Sequence, residues 1–165
     1  MSDFAWFLDF DYIYREGGLD KNIDPLRIRK FVKRAQDEDI YNLIGGELYN
    51  KILDLINGDT LSSSGIYKTL VNEYIAPVIV FQTVYYFSSE DIHLTNKGLQ
   101  EKNSDYSNPP SDSRRLDINN RLLNDIDVKR GRLINFLIDN KDSIPEFDWN
   151  KCVPKDNYIL KNWLR

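Results

Sequence analysis

The fold of this protein is decided by residues 24–57, DPLRIRKFVKRAQDEDIYNLIGGELYNKILDLIN. Asp24 is a preferred helix N-cap, and Pro25 occupies the first helical position, where a missing N–H costs nothing. Apolar residues recur at helical spacing before and after the Gly45–Gly46 pair. The stretch predicts two consecutive helices, each of which must bury an apolar face. These faces are Ile28, Phe31, Val32, Ala35, Ile40 and Leu43 in the first helix, and Leu48, Tyr49, Ile52, Leu53 and Ile56 in the second.

The first of these helices carries its charges in an order that opposes the helix dipole. Its start is basic and its end is acidic, whereas the dipole favours the reverse by a few tenths of a kcal/mol per charge, roughly. One interpretation is an ordinary solvated face. The other is that the two ends face opposite neighbouring copies of the chain. The residues concerned are Arg27, Lys30 and Arg34 at the basic end, and Asp37 and Glu38 at the acidic end.

The composition fits one domain with a core of its own, because the chain has 165 residues and is 41% hydrophobic. A net charge of -4 argues against a general nucleic-acid binder. The single cysteine, Cys152, excludes an internal disulfide and suits a reducing compartment. No apolar run approaches the ~18 residues of a membrane span, so no membrane contact is expected. Aromatic residues make up 13% of the chain, and some of them are expected in interfaces.

The N-terminal residues alternate between large apolar side chains and smaller or acidic ones. An apolar side chain at every second position over residues 3–14 predicts an extended strand. No second alternating run exists to pair with it, so the hypothesis is an arm, residues 1–22, that another chain orders. The apolar side of this arm is Phe4, Trp6, Leu8, Phe10, Tyr12 and Tyr14.

Two further helices follow. One begins at Ile66 and is apolar nearly all round from Tyr74 to Phe87, which predicts a central position in the core. Pro77 is expected to kink this helix rather than end it. The other helix begins after Pro110 and runs to about Asp139, with Gly131 as a weak point.

The remaining segments are predicted to connect or dock. Residues 88–111 form a long polar insertion, and residues 91–110 within it are expected to be mobile until a partner orders them. Residues 144–147 turn the chain, and residues 148–165 form a docking tail with interface residues Trp149, Tyr158 and Trp163. The predicted fold class is all-α, a single helical bundle of about four helices over residues 23–147, with the arm at one end and the tail at the other.

The sequence offers little that predicts catalysis. His93 is the only histidine and lies in a polar segment, and Cys152 has only Lys151 and Lys155 nearby. Asp9 and Asp11 are oxygen donors suited to a divalent cation, but on an alternating strand they form the solvent face. We therefore predict no catalytic, cofactor or metal site, and a protein that is not an enzyme.

The basic clusters late in the chain do not predict a DNA surface. They are interleaved with aspartates, which is typical of a solvated face rather than a phosphate-binding patch. The clusters are Arg114–Arg115 and Lys129–Arg130 with Arg132, and the aspartates among them are Asp117, Asp125 and Asp127.

The order of packing motifs resembles head–tail connector proteins of tailed bacteriophages, most of all the adaptor ring proteins of crAss-like phages. The resemblance covers residues 23–147 and rests on packing motifs, none diagnostic alone. They are Ile28, Phe31, Ala35–Gln36, Ile40, Leu43–Gly45, Leu48–Tyr49 and Leu53, then Tyr74, Ile75 and Pro77, then Gly98, and finally Ile144 to Phe147.

The resemblance implies a structural virion protein that forms a twelve-fold ring in the neck, between the portal and the tail. Its partners would be identical subunits, the portal protein, and tail or second adaptor ring proteins. DNA would pass through the channel without specific binding. Assembly would take place in the host cytoplasm. The alternative from the residues is a cellular helical adaptor module that binds a peptide or partner protein.

Overall fold

The computed structural model describes residues 5–20, 22–90 and 112–148. Within these ranges every regular element is helical, so the fold is all-α. The predictions for residues 91–111 and 149–165 fall outside the described residues, as do those for Phe4, His93 and Cys152.

The helices that the sequence predicts are present with similar bounds, and one further helix, at the N-terminus, is not predicted. The helices are α1 (Phe10–Gly17), α2 (Pro25–Arg34), α3 (Tyr41–Ile44), α4 (Gly46–Asn57), α5 (Ile66–Thr69), α6 (Ala76–Glu90) and α7 (Asp112–Asp139). Two π-helical segments, Ala35–Ile40 and Leu70–Ile75, continue α2 into α3 and α5 into α6, and a 3₁₀ turn spans Leu61–Ser63. The predicted insertion therefore starts later than residue 88, because α6 continues to Glu90.

The start of α2 and the bend after α3 follow from local chemistry. The Asp24 side chain accepts a hydrogen bond from the Leu26 amide at 2.9 Å, and Pro25 lies in the first turn, as predicted. Gly45 ends α3 at φ 81°, a conformation that side chains disfavour, and α4 begins at the next residue. The predicted pair of helices with a glycine joint is therefore confirmed.

The helix that contains Pro77 accommodates this proline by a change in the backbone hydrogen-bond pattern of the preceding turn. Pro77 has no N–H to continue an α-helical ladder. The preceding segment, Leu70–Ile75, is π-helical, and the Ala76 amide donates to the Val71 carbonyl five residues earlier. The chain thus stays helical from Ile66 to Glu90.

The core is arranged around α6. This helix packs against α2, α7 and α1, and against both π-helical segments. Val78, Ile79 and Val80 are buried in it, which confirms its predicted central position. The turn after α7 closes the core with Ile144 and Phe147.

The prediction of an N-terminal strand is wrong. Residues 10–17 form α1, whose N-cap Asp9 accepts a hydrogen bond from the Asp11 amide. The segment also packs into the core of its own chain, since Phe7, Ile13 and Tyr14 are buried there. Phe10 and Tyr14 are four residues apart, a spacing that fits both the two-residue period of a strand and the 3.6-residue period of a helix. Ile13 would lie on the opposite side of a strand from Tyr14, so burial of both residues fits the helix.

Candidate interaction surface

The π-helical segment Ala35–Ile40 is the polar centre of the molecule. A π turn holds one more residue than an α turn, and such insertions are frequent at functional sites. Gln36 is fully buried beside Ala35. Asp39, three residues later, is oriented toward α6 and α7. The segment therefore provides two polar contacts, one to the N-terminal residues and one to the two long helices.

The side-chain amide of Gln36 holds the N-terminal segment by two hydrogen bonds to its backbone. Its Oε1 accepts from the Phe7 amide at 3.0 Å, and its Nε2 donates to the Ala5 carbonyl at 2.9 Å. The same Nε2 donates to the hydroxyl of Tyr49 on α4 at 3.3 Å. One buried amide thus satisfies the Ala5 carbonyl and the Phe7 amide.

Tyr49 links this amide to the acidic end of the π-helical segment. Its hydroxyl donates to Oδ1 of Asp37 at 2.8 Å, and Lys33 donates to Oδ2 of Asp37 at 2.6 Å. Burial, more than the neighbouring carboxylate, raises the pKa of Tyr49 well above its usual range. Phe7 and Tyr41 lie against the ring of Tyr49, at centroid distances of 5.1 and 5.3 Å.

Asp39 forms the second polar cluster. Its Oδ1 accepts from Nη2 of Arg130 at 2.9 Å, and its Oδ2 accepts from the hydroxyl of Tyr86 at 2.8 Å. The same Nη2 of Arg130 donates to Gln82 at 3.2 Å. Burial raises the pKa of Asp39, and it outweighs the opposing effects of the Tyr86 hydrogen bond and the Arg130 charge.

The placement of Arg130 corrects the prediction that its cluster forms a solvated face. The side chain of Arg130 is only 28% exposed and that of Asp39 only 15%. Their ion pair ties the π-helical segment to α7 across α6. The sequence analysis does not predict that these two residues meet. The only indication of this contact in the sequence is weak, because it consists of one arginine on the otherwise apolar side of α7.

The charge order of α2 is explained largely by contacts inside one chain. Lys33 pairs with Asp37 and Arg34 with Glu38, both at the i,i+4 spacing. The guanidinium of Arg34 also lies over the Tyr86 ring, 4.1 Å from its centroid, and Lys30 lies over Phe31. The interpretation that acidic Asp37 and Glu38 face a neighbouring copy is therefore not required by the charge order.

Of the predicted interface residues at the N-terminus, the structure buries some and leaves others partly exposed. Tyr14 is buried, and its hydroxyl donates to the Ile23 carbonyl at 2.7 Å. Trp6 is partly exposed between Phe10, at 5.1 Å, and the guanidinium of Arg29, at 5.2 Å. Leu8, Phe10 and Tyr12 are partly buried against the core. These residues pack mainly within their own chain.

Large apolar side chains are exposed at several places that the sequence analysis did not select. Leu26 on α2 is 70% exposed. Helix α7 exposes several more, namely Leu116, Ile118 and Leu123 in its first half and Val128 just past its midpoint. Polar residues Asp117, Asn120, Arg121, Asn124 and Asp125 border an open depression of about 540 Å³ on the first half of α7.

The described part of the chain contains no group of three or more His, Cys, Asp or Glu residues placed to hold a metal ion. Asp9, considered as a cation ligand, instead caps α1. None of the helices within residues 5–20, 22–90 and 112–148 is both long and apolar enough to cross a bilayer.

Comparison with known proteins identifies the family of the chain. A model described as "Family of unknown function (DUF6712)" matches residues 40–157. The chain belongs to the DUF6712 family. No curated protein and no solved structure matches it. The DUF6712 match begins at the last residue of the first π-helical segment, so it includes Tyr86 and Arg130, whereas α1, α2 and Asp39 precede it.

Proposed function

We propose that this DUF6712 protein is a structural virion subunit that assembles into a ring between the portal and the tail of a tailed bacteriophage. In this role it conducts DNA during packaging and ejection and catalyses no reaction. Its neighbours are further copies of itself, the portal protein, and the tail or a second adaptor ring.

The proposal is carried by the order of packing motifs over residues 23–147, on which the resemblance to connector proteins rests, and the order of the helices agrees with it. A capped helix is followed by a second helix after a glycine bend, then by the apolar helix with Pro77, then by the long helix α7. The exposed apolar residues add support, because a ring of identical subunits needs two different surfaces that complement each other. Leu26 and Leu116 lie on two different helices and supply such a pair.

The proposal is tested by measuring the mass of the purified protein, alone and with a portal protein, using light scattering coupled to size-exclusion chromatography. We expect a large closed ring, or assembly that occurs only on the portal, and electron microscopy should show annular particles. A protein that stays monomeric at high concentration and in the presence of the portal would refute the proposal.

A second candidate function, a cellular adaptor module that binds a peptide, is favoured by the Gln36 contacts. A buried amide that pairs with the backbone of Ala5 and Phe7 is suited to hold the backbone of a peptide. In an adaptor, a peptide from a partner would displace residues 5–7 from this amide. Titration of a monomeric protein with short apolar peptides distinguishes the two functions, since a connector should give no saturable binding.

A further inference from the structure

The first described residues and helix α1 form an N-terminal unit, residues 5–17, that docks on the rest of the fold at separate points. The buried amide of Gln36 holds the backbone of this unit by two hydrogen bonds. The ring of Phe7 lies against that of Tyr49, with centroids 5.1 Å apart. Helix α1 packs on α6 at Gly17, where an added Cβ would lie 2.9 Å from a side chain of α6. These partners all lie later in the chain and together form the receiving site of the unit.

The N-terminal unit is aromatic, whereas most of the core that receives it is aliphatic. Phe31 is the one aromatic among the largest fully buried side chains of the described residues, and the others are isoleucine and leucine. Tryptophan, tyrosine and phenylalanine are enriched at interfaces between chains, where they act as anchors. The unit therefore has the composition of an interface segment. Its aromatic residues are Trp6, Phe7, Phe10, Tyr12 and Tyr14.

A short link, residues 18–24, joins the unit to α2. Two hydrogen bonds hold this link against α1: the Leu19 amide donates to the Tyr14 carbonyl at 3.1 Å, and the Tyr14 hydroxyl donates to the Ile23 carbonyl at 2.7 Å. When these bonds open, a link of this length can span up to about 23 Å, roughly twice the diameter of a helix. The Asp24 side chain caps α2 by itself. The unit can therefore leave its site and reach an adjoining copy while α2 stays folded.

We propose that the N-terminal units are exchanged around the assembled ring, so that the unit of each copy occupies the receiving site of the next copy. This inference rests on the proposed function, since it identifies a contact that joins neighbours in the ring. Exchange of an identical segment repeats between two chains the contacts that the unit makes within one chain, so it needs no additional complementary surface.

The free subunit keeps its unit on its own chain because the link gives the unit an effective concentration of roughly millimolar order at that site. Copies that are held side by side in a ring have a comparable local concentration, which removes this advantage of the closed form. Each copy gives its unit to one neighbour and receives a unit from the other, so the contact repeats until the ring closes.

The test uses chemical cross-linking between two positions that meet when the unit is docked. The guanidinium of Arg29 lies 5.2 Å from the ring centroid of Trp6, and both side chains reach solvent. Trp6→Cys and Arg29→Cys are placed in one chain, with Cys152→Ser to remove the single natural cysteine. A short bismaleimide should join the two positions within the chain of the free subunit, and this product also shows that the variant is folded with its unit docked.

The double variant is then mixed with a large excess of Cys152→Ser protein and assembled, with a portal protein if one is required. We expect the cross-link within one chain to fall by at least about tenfold, because an exchanged unit lies beside a neighbour that has no cysteine. In a second mixture, Trp6→Cys protein and isotope-labelled Arg29→Cys protein, both with Cys152→Ser, should give a product that joins one labelled and one unlabelled chain. Ile138→Cys in place of Arg29→Cys is the control, because this exposed position lies on α7, and it should give no such product.

A second pair of positions covers a failure of the first to dock. If the free double variant gives no cross-link within its chain, Gly17→Cys with Val84→Cys replaces it, since a Cβ at Gly17 would lie 2.9 Å from Cγ2 of Val84. The same loss on assembly is expected for this pair.

The outcomes separate this inference from the proposed function. Rings in which the cross-link within one chain is undiminished would show that each unit stays on its own chain, so the inference would be wrong and the ring proposal would stand. The same holds if that cross-link is lost but no product joins two chains, since the unit has then moved to another partner. A natural protein that never self-associates, with or without a portal protein, would overturn both.

Discussion

Asp39 and Arg130 are 91 residues apart in sequence and form an ion pair, with Nη2 of Arg130 at 2.9 Å from Oδ1 of Asp39. The pair connects the π-helical segment Ala35–Ile40 to α7. Tyr86 and Gln82 on α6 complete the cluster. One partly buried carboxylate thus links three parts of the fold: the π-helical segment, α6 and α7.

Asp39→Ala should lower the free energy of unfolding by about 1–3 kcal/mol, because it leaves the Arg130 guanidinium and the Tyr86 hydroxyl without their acceptor. Urea denaturation measures the change. The matched control is Glu38→Ala, which removes an exposed pair with Arg34 and should cost no more than ~0.5 kcal/mol. Equal losses in the two variants would mean that the buried cluster contributes nothing specific.

Gln36→Met should release the N-terminal segment, because a side chain of similar volume replaces one that holds Ala5 and Phe7 by hydrogen bonds. We expect the Phe7 amide to exchange hydrogen much faster, and stability to fall by about 1–3 kcal/mol. Asn42→Met, at an exposed position, is the control and should change neither. Unchanged protection of Phe7 in a folded Gln36→Met protein would contradict the assigned role of Gln36.

Two glycine substitutions should have opposite effects. A Cβ at Gly17 would lie 2.9 Å from Cγ2 of Val84, so Gly17→Ala should push α1 away from α6 and cost about 1 kcal/mol or more. A Cβ at Gly131 meets nothing within 4 Å, so Gly131→Ala should stabilise α7 by about 0.5–1 kcal/mol. Thermal unfolding of both variants checks the prediction. A stabilising Gly17→Ala would show that α1 does not dock closely on α6.

Stability should fall as the pH rises from about 10 to about 12. Burial, more than hydrogen bonding to Glu146 or Asp39, raises the pKa of Tyr67 and of Tyr86 from 10.0 to about 12. In this range the folded protein keeps both phenolic protons while the unfolded chain loses them, so ionisation favours unfolding. Denaturation midpoints across this pH range measure the effect. Tyr67→Phe and Tyr86→Phe should each flatten the decline, and an unchanged slope would refute the assignment.

Binding to duplex DNA should be weak. The chain has 22 basic and 26 acidic residues, and basic residues of α2 are engaged with Asp37, Glu38 and aromatic rings. A channel through which DNA moves also gains little from holding phosphates. We expect affinity no tighter than roughly 10⁻⁴ to 10⁻⁶ M at physiological salt, measured by fluorescence anisotropy. Submicromolar, salt-sensitive binding that is lost in Lys30→Glu would favour a DNA-binding role for α2.

The sequence by itself determined the positions of most helices. Asp24 and Pro25 set the start of α2, Gly45 sets the bend before α4, and the uncharged run from Tyr74 to Phe87 sets the central helix. Caps, glycine bends and apolar periods act within one or two turns of helix, so they can be read without knowing the rest of the molecule.

Only the tertiary structure decided what the N-terminus and the polar residues do. The alternation of residues 3–14 fits a strand locally, but burial of Ile13 beside Tyr14 makes residues 10–17 a helix. Gln36 meets residues about 30 positions away, and Asp39 meets Arg130 across α6. Such contacts form only after helices pack, and their energy depends on burial that the packing itself creates. No local pattern in the sequence encodes them.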